Sequence, residues 1–166
     1  MLNWSLKPFS SLTPTELYAL LRLRSEVFVV EQNCVFLDMD DKDQESFHLM
    51  GWAAGAEDST SHSLPRSGGA SRLTLAAYTR LVPPGYIYEE ASIGRVVTSP
   101  AARGGGLGRS LMEESIRRCT ELFGAGPIRI GAQQYLEHFY QSLGFVTVSE
   151  PYLEDGIPHV YMLRSV

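Results

Sequence analysis

The chain has 166 residues, of which 44% are hydrophobic and 20% are charged. These proportions are typical of a globular domain, and they exclude a fully disordered chain, a collagen-like repeat and a coiled coil. A chain of this length buries roughly 70% of its unfolded surface, so one domain over residues 1–166 needs no disulfide or metal to hold its core.

The charge balance and the apolar runs narrow the possible partners. The 19 acidic residues outnumber the 14 basic ones, which argues against a protein that binds nucleic acid through a basic face. No apolar run approaches the ~20 residues that cross a bilayer, and the start MLNWSLKPFSSL lacks a secretory signal. Cys34 and Cys119 are most simply reduced thiols. We therefore expect a cytoplasmic protein that binds neither nucleic acid nor membrane.

The first elements are a strand and an amphipathic helix. Asn3–Lys7 is predicted to be a strand. Thr13 and Glu16 have the spacing of a capping box, and Pro14 between them suits the first helical position. Apolar residues at helical spacing continue this helix to about Val30.

An acidic segment follows the first helix. Its carboxylates are Asp38, Asp40, Asp41, Asp43 and Glu45. A solvated loop and a functional segment are both open interpretations. In the functional one, Asp40 and Asp43 attract a cationic amine. The spacing does not fit an EF-hand, and no Cys or His pair elsewhere has zinc-ligand spacing, so no metal site is predicted.

The middle of the chain is predicted to form three strands, at His48–Ala54, Arg72–Val82 and Tyr86–Thr98. Residues 56–71, between the first two strands, are rich in Ser and Gly. Such a composition buries little apolar surface, so we expect a flexible hairpin loop and not a domain linker.

The second half alternates helices and strands. RGGGLG (Arg103–Gly108) begins a predicted helix that ends near Gly124. The elements predicted after it are a strand at Ile128–Ala132, a helix at Tyr135–Leu143, and strands at Phe145–Val148 and His159–Leu163. The order predicts an α/β chain of the α+β type with a mixed, mainly antiparallel sheet, and not a Rossmann array.

The loop RGGGLG is the strongest chemical signal. Glycines allow a tight turn that exposes amide N–H groups at a helix N-terminus, where the helix dipole adds positive charge. A pyrophosphate suits such a loop. No Gly-Lys-Ser/Thr follows, and the loop lies too late in the chain for a dinucleotide fingerprint. A loop that serves only packing remains an alternative.

Several motifs resemble one family. Arg103, Gly106 and Gly108 form an Arg-x-x-Gly-x-Gly pattern that resembles the coenzyme A pyrophosphate loop of the GNAT superfamily of N-acetyltransferases. FYQSLGF resembles the family's second motif, and VFVVEQNC, IGRVV and EDGIPHVYM are similar to its ElaA branch. The resemblance implies acetyl-CoA as co-substrate and a GNAT-like central sheet of six to seven strands, flanked by about four helices.

The resemblance also implies a cofactor site. In the family the fourth and fifth strands splay apart and the pantetheine arm lies between them. Carried over to this chain, the cofactor-binding residues are Val96, Val97, Thr98, Arg103, Gly104, Gly105, Gly106, Leu107, Gly108 and Arg109. A backbone N–H near Val96 would stabilise the developing oxyanion. Gln133 is a candidate contact to the arm, with a structural role as the alternative.

The resemblance makes Tyr140 the candidate general acid, which faces the coenzyme A sulfur; packing of its ring is the alternative. Some members use a glutamate on the fourth strand as base, but the equivalent position here is Ser92. Glu31, His48 and His159 are therefore the candidate bases, each with a structural alternative.

Three functions remain open. The first is acetyl transfer from acetyl-CoA to a primary amine of a small molecule or peptide, by direct attack in a ternary complex. The second is a non-catalytic acyl-CoA-binding sensor or scaffold, and the third a nucleotide- or dinucleotide-binding protein. An edge strand near the C-terminus also allows a homodimer.

Overall fold

A computed structural model describes residues 2–54 and 73–165; the loop predicted at 56–71 lies outside the described residues. The strands are β1 (Asn3–Pro8), β2 (Phe47–Ala54), β3 (Leu73–Val82), β4 (Ala91–Thr98), β5 (Ile128–Gln133), β6 (Val146–Thr147), β7 (Tyr152–Glu154) and β8 (Ile157–Arg164). The α-helices are α1 (Pro14–Arg24), α2 (Leu107–Phe123) and α3 (Glu137–Gln141). A π-helical segment spans Ser25–Glu31, and 3-10 turns lie at Phe9–Ser11, Pro100–Ala102 and Gln134–Leu136.

All eight strands found within residues 2–54 and 73–165 belong to one sheet in the order β1-β2-β3-β4-β5-β8-β6, with β7 also paired to β8. Only the β4–β5 pair is parallel among the pairs that the described residues form. The predicted mixed, mainly antiparallel sheet is confirmed. It has eight strands and not six or seven, because the segment after Phe145 forms two short strands where the sequence predicted one.

The first helix begins as predicted and ends differently. The Glu16 N–H donates to Thr13 Oγ1 at 3.2 Å, and the Thr13 N–H donates to Glu16 Oε2 at 2.9 Å, which completes the capping box. The α-helix stops at Arg24, and the wider π-helical segment carries the chain to Glu31. The described part of the chain contains three α-helices, where about four were expected.

Two helical layers cover the sheet. On one face, Leu20, Leu23 and Val27 pack against Met50 and Tyr78. On the other face, the cluster that includes residues of α2 and α3 comprises Ile93, Met112, Cys119, Ile130, Tyr140, Phe145 and Met162. Each face of the sheet is therefore buried by its own set of helices.

The sheet opens between β4 and β5. These strands pair only at Ala91–Ile128 and Ser92–Arg129, so they diverge beyond the start of β4. Farther along β4 its register with β3 shifts, and Arg95 has a left-handed backbone with φ of +52°. A bulge of this kind bends a strand and interrupts its pairing. The predicted strand at Tyr86–Thr98 accordingly starts only at Ala91 and contains this bend.

Candidate active site

A cleft of about 500 Å³ passes through the opening between β4 and β5. Its walls come from β4, β5, the π-helical segment, α3 and the β7–β8 hairpin. Because the sheet is parted there, the cleft reaches elements that cover both faces of the sheet. A long, narrow ligand fits such a passage better than a compact one.

The glycine-rich loop borders this cleft: Arg103 and Gly108 line it, and an adjoining pocket that shares both residues is lined by Gly104 and Gly106. Gly104, Gly105 and Gly106 have φ of +96°, +58° and +80°, and a Cβ at any of the three would meet no atom within 4 Å. The conformation requires glycine, while the space beside it is open. Gly106 caps α2, a helix of 17 residues, so the positive end of a long helix dipole points to this space. A cradle of this kind fits a diphosphate.

Two arginines flank the loop. Arg103 Nη1 lies 2.8 Å from Glu31 Oε1, and its Nη2 donates to the Thr98 carbonyl at 3.4 Å. Arg109 donates to the Ser142 hydroxyl, next to α3. Arg103 thus bridges the π-helical segment and the end of β4 across the cleft. Glu31 lines the cleft and is ion-paired beside the anion loop, and its role as a general base stays a prediction.

The two valines after the bulge lie on opposite faces of the sheet. Val97 is 3% exposed and packs in the cluster with Leu20 and Leu23, whereas Val96 packs against the clusters on the α2 face. Both residues line the cleft, as do Gly94 and Arg95. The side chains of Val96 and Val97 therefore anchor β4 in both layers, and the backbone between them borders the cleft.

Tyr140 is 5% exposed and lines the cleft from α3. Its ring packs edge-on against Phe139 and Phe145, with centroids 5.1 and 6.0 Å away. Burial raises the pKa of the Tyr140 hydroxyl above its ordinary value. Tyr140 therefore holds its proton at all physiological pH values, and it can donate a hydrogen bond within the cleft.

His159 lies near the start of β8 and lines the cleft. Its Nδ1 is 2.7 Å from the Ile157 carbonyl, so Nδ1 carries the hydrogen and Nε2 keeps its lone pair in the neutral ring. Nε2 lies 3.8 Å from Glu154 Oε2 on β7. The Tyr152 ring stacks on the imidazole at 5.8 Å. These contacts hold the ring in one orientation with a basic nitrogen available.

Two side-chain contacts join neighbouring walls of the cleft. Gln133 Nε2 donates to Gln32 Oε1 at 3.2 Å, and the Cys34 thiol donates to the Asp155 carbonyl at 3.5 Å. Both contacts start from residues just after the π-helical segment. Gln32 is thereby linked to the last residue of β5, and Cys34 to the turn between β7 and β8. All four residues line the cleft. Gln133 is thus placed at the predicted site, with its amide nitrogen bonded to a neighbouring side chain.

The structure corrects the proposed role of His48. This residue is fully buried in β2 and does not line the cleft. Its Nε2 donates to the Asp43 carbonyl at 3.0 Å, and its Nδ1 accepts from the Tyr78 hydroxyl at 2.8 Å. Burial lowers the pKa of the His48 ring, so it is neutral. With both nitrogens bonded inside the protein, His48 is a structural residue and not a base for a bound substrate.

Three of the five carboxylates in the acidic segment are ion-paired with arginines, whereas Asp41 and Glu45 are exposed. Asp38 and Asp43 are buried, and Asp38, Asp40 and Asp43 pair with three arginines: Arg24 of α1, Arg80 of β3 and Arg95 of β4. We call these six residues the Asp–Arg cluster. The three negative and three positive charges balance, so Asp40 and Asp43 offer no net field to a cationic substrate.

Some cleft residues were not predicted as site residues. Leu136 of the 3-10 turn, Phe139 of α3 and Glu154 of β7 line the cleft together with Arg95, and the last three lie inside quoted motifs that gave them no individual role. The motif IGRVV contains Arg95, but a bulge at a non-glycine residue leaves no mark in a pattern of β-branched residues. Ser92, at the position of the family's fourth-strand glutamate, is buried opposite Arg129 and does not line the cleft.

The described residues contain neither a metal-binding group nor a membrane-spanning helix. Across 2–54 and 73–165, no three or more His, Cys, Asp or Glu side chains are grouped to hold a metal ion. Within the same ranges, no helix has the length and hydropathy needed to cross a membrane.

A mainly antiparallel sheet that parts between two parallel strands, beside a glycine-rich helix N-terminus, defines the class of acyl-CoA acyltransferase folds. The family described as "Acetyltransferase (GNAT) domain" matches residues 40–165, and Protein ElaA of Escherichia coli K12 is 39% identical over the whole chain and 98% of its own length. The chain therefore belongs to the GNAT family of acetyltransferases, and its relatives include ElaA proteins.

Solved structures agree with this assignment. An acyl-CoA N-acyltransferase from Pseudomonas aeruginosa has a TM-score of 0.84 and 42% identity, and the match covers 99% of this chain and 100% of that one. The crystal structure of E. coli ElaA has a TM-score of 0.82 over 99% and 100% of the two chains. A Bacillus subtilis acetyltransferase solved with CoA shares the fold at 20% identity, with a TM-score of 0.59 over 100% and 99%.

Proposed function

We propose that the protein transfers an acetyl group from acetyl-CoA to a primary amine of a small molecule or peptide, by direct attack in a ternary complex. The observation that carries this proposal is the cleft, whose lining includes residues beside the anion loop, Tyr140, and a histidine with an available nitrogen. A molecule bound on the loop and extended into the opening can therefore share the cleft with a second ligand beside His159.

The cofactor end suits coenzyme A. The diphosphate would lie on Gly104–Gly106 at the start of α2, and the pantetheine arm would pass between β4 and β5, where the strands leave backbone groups unpaired with each other. Arg103 would exchange part of its contact with Glu31 for a phosphate oxygen. A nucleoside triphosphate has no comparable arm to fill the opening.

The acceptor end suits an amine. An alkylammonium must lose a proton before its nitrogen attacks, and His159 Nε2 has the lone pair to take it. Glu154, 3.8 Å from that nitrogen, stabilises the imidazolium that results. The new bond joins the amine nitrogen to the acyl carbon, and the bond from that carbon to sulfur breaks. The second excess proton of the nitrogen then neutralises the departing thiolate, which leaves an amide and free coenzyme A thiol. Of the three base candidates, His159 is the one we retain.

Tyr140 would act on the departing sulfur. Because its pKa is raised, it keeps its proton and stabilises the thiolate as a hydrogen-bond donor. The thiol of coenzyme A has a pKa near the ~8.5 of cysteine, so it leaves readily and this help is moderate. Tyr140→Phe should slow turnover about ten- to a thousandfold, within or just below the range typical of acid–base contributions.

Cofactor binding is tested first, by calorimetry with acetyl-CoA, ATP and NADH. We expect micromolar affinity for acetyl-CoA and weak affinity for the nucleotides. Gly106→Ala should reduce the affinity for acetyl-CoA at least tenfold, because a Cβ at φ of +80° strains the cradle and enters it. Gly85→Ala is the matched control: Gly85 has φ of +82° and equally open surroundings, but lies outside the cleft. Preference for ATP or NADH would reject the proposal.

Turnover is tested next, with a panel of primary amines and detection of free thiol. His159→Gln should lower kcat about 10²- to 10⁴-fold with little change in acetyl-CoA affinity, since His159 lies at the acceptor end. If acetyl-CoA binds but no amine in a broad panel is acetylated, the protein is instead a non-catalytic acyl-CoA sensor. If only non-amine acceptors react, the acceptor class proposed here is wrong.

A further inference from the structure

The bend in β4 is centred on a residue that does not favour it. In the described residues, four non-glycine residues have positive φ: Asn33, Asp41, Arg95 and Asp155. Asn and Asp adopt the left-handed conformation with little penalty, but a long unbranched side chain does so only under constraint. Arg95 at φ of +52° therefore needs an interaction that holds it.

The side chain of Arg95 supplies that interaction. Its Nε and Asp38 Oδ1 form an ion pair at 2.8 Å that lacks hydrogen-bond alignment, and its Nη2 donates to the Asp38 carbonyl at 3.0 Å. A weaker contact joins Nη2 to Asp40 Oδ2 at 3.4 Å. The guanidinium thus contacts both the side chain and the backbone of Asp38. These contacts fix the side chain against Asp38 and hold the backbone of the bulge in place.

The support for Arg95 is itself rigid. Arg24 Nε donates to Asp38 Oδ2 at 2.8 Å, and Arg80 binds both carboxylate oxygens of Asp40 at 2.6 and 2.8 Å. The side chains of Arg24 and Arg80 are 0% and 4% exposed. Asp38 and Asp40 are therefore fixed by arginines of α1 and β3 before they contact β4. The Asp–Arg cluster forms a brace between the core and the bulge.

We propose that Arg95, held by Asp38, is a positioning residue for the backbone group of β4 that contacts the acyl carbonyl. The inference rests on the proposed function. Residues 94–98 line the cleft, and the bulge decides which of their amides face it. A backbone N–H stabilises the transition state of acyl transfer only when it already points to the carbonyl oxygen. The Asp–Arg cluster fixes that orientation by holding the bulge.

The inference predicts that binding of the acyl group changes while binding of the rest of the cofactor does not. Coenzyme A and acetyl-CoA share the diphosphate and the pantetheine arm, but only acetyl-CoA has the carbonyl. Loss of the brace should therefore weaken acetyl-CoA binding more than CoA binding. A general loss of structure would weaken both alike, so the ratio of the two dissociation constants reports positioning alone.

Arg95→Ala, Arg95→Gly and Arg22→Ala provide the test. Each removes one positive charge, but Arg22 is exposed on α1 and serves as the control for charge. For Arg95→Ala the dissociation constant of acetyl-CoA divided by that of CoA should rise about tenfold. This is the net effect of losing one hydrogen bond, here the one to the acyl carbonyl. Arg95→Gly should recover most of this ratio, because glycine adopts the positive φ without a brace. Arg22→Ala should leave the ratio unchanged.

A spectroscopic measurement adds a second readout. A hydrogen bond to the carbonyl oxygen withdraws electron density from the carbon, so bound acetyl-CoA labelled with ¹³C at that carbon should show a downfield shift. We expect Arg95→Ala to reduce this shift and Arg95→Gly to restore it. If Arg95→Ala does not fold, Arg95→Lys provides the same comparison, because lysine keeps the charge but lacks the two-pronged guanidinium.

The outcomes distinguish this inference from the proposed function. Equal weakening of CoA and acetyl-CoA in Arg95→Ala, or an unchanged ¹³C shift, would overturn the positioning role while acetyl transfer stands. A wild-type protein that binds neither CoA nor acetyl-CoA would overturn both. A selective loss in Arg95→Ala with recovery in Arg95→Gly supports the inference.

Discussion

The two sides of the cofactor path are held in shape by different means. The anion loop keeps its form through consecutive glycines with positive φ, all within a few residues of one another. The bulge in β4 keeps its form through the Asp–Arg cluster, whose contacts join residues 14 to 57 positions apart in the chain. The loop, which forms one wall of the cofactor path, is thus held by its local backbone conformation. The bulge, which forms the other wall, is held by charged residues that the fold brings together.

This difference has a consequence for how each wall fails. A loop built from glycine conformations loses its function when a side chain is added, while the rest of the domain remains folded. A wall built from buried ion pairs cannot lose one partner without leaving the other charge buried and unpaired. Mutations on the loop side should therefore act mainly on binding, and mutations on the cluster side on stability as well.

The largest effect should come from Arg24. Its side chain is 0% exposed and contacts both Asp38 and Asp43 at 2.8 Å. Arg24→Met keeps much of the volume but removes the charge, so the free energy of unfolding should fall by about 3–5 kcal/mol. Urea denaturation measures the loss, and Arg22→Ala on the exposed side of α1 should stay within about 0.5 kcal/mol of wild type. A loss below 1 kcal/mol for Arg24→Met would show that the cluster is not a buried brace.

The same difference explains which parts of the molecule could be predicted from the sequence. The capping box of α1 and the glycine loop before α2 are local patterns, and both were predicted at the correct residues. The alternation of helices and strands also predicted a mixed, mainly antiparallel sheet. These features depend on neighbours within a few positions, which a sequence displays directly.

The errors concern partners that are distant in the chain. The aspartates after the first helix had no visible partner in the sequence, because Arg80 and Arg95 lie about 40 and 57 positions away. His48 was a plausible base until the fold placed Tyr78 and Asp43 on its two nitrogens. The bulge at Arg95 was missed for the same reason, since the interaction that stabilises it comes from another segment.

A smaller and pH-dependent effect is expected at Asp40. Burial alone would raise the pKa of this carboxyl, but the hydrogen bonds and charge of Arg80 outweigh burial and hold the pKa well below its usual range. At pH 7, Asp40→Asn should cost about 2 kcal/mol of unfolding free energy, because charged hydrogen bonds are lost. Urea denaturation of both proteins at pH 7 and pH 3 gives the comparison.

The direction of this pH dependence follows from the linkage between proton binding and folding. The unfolded carboxyl has a pKa of about 3.9 and the folded one lies lower, so the unfolded state takes up more protons as the pH falls. The stabilisation is fully present above about pH 4 and decreases below it. The difference between wild type and Asp40→Asn should therefore shrink by about 1 kcal/mol between pH 7 and pH 3. A difference that does not change with pH would contradict an ionised, paired Asp40.

The smallest effect on stability should come from Gly108→Ala. This substitution should stabilise the protein, whereas Arg24→Met and Asp40→Asn should destabilise it. Gly108 lies in the first turn of α2, and a Cβ there would meet no atom within 4 Å. Alanine favours a helix over glycine by about 0.5–1 kcal/mol, so Gly108→Ala should raise the melting temperature by a few degrees. The added methyl nevertheless faces the cleft at the anion loop.

The affinity of Gly108→Ala for CoA should therefore fall while its stability rises. Ser110→Ala is the matched control, because Ser110 is exposed on the same helix and does not line the cleft. It should gain stability in the same way without losing affinity. Calorimetric titration with CoA beside thermal unfolding separates the two effects. A Gly108→Ala variant that is more stable and binds CoA as well as wild type would show that the loop does not hold the diphosphate. The opposite signs predicted here distinguish a glycine kept for a ligand from one that the fold itself requires.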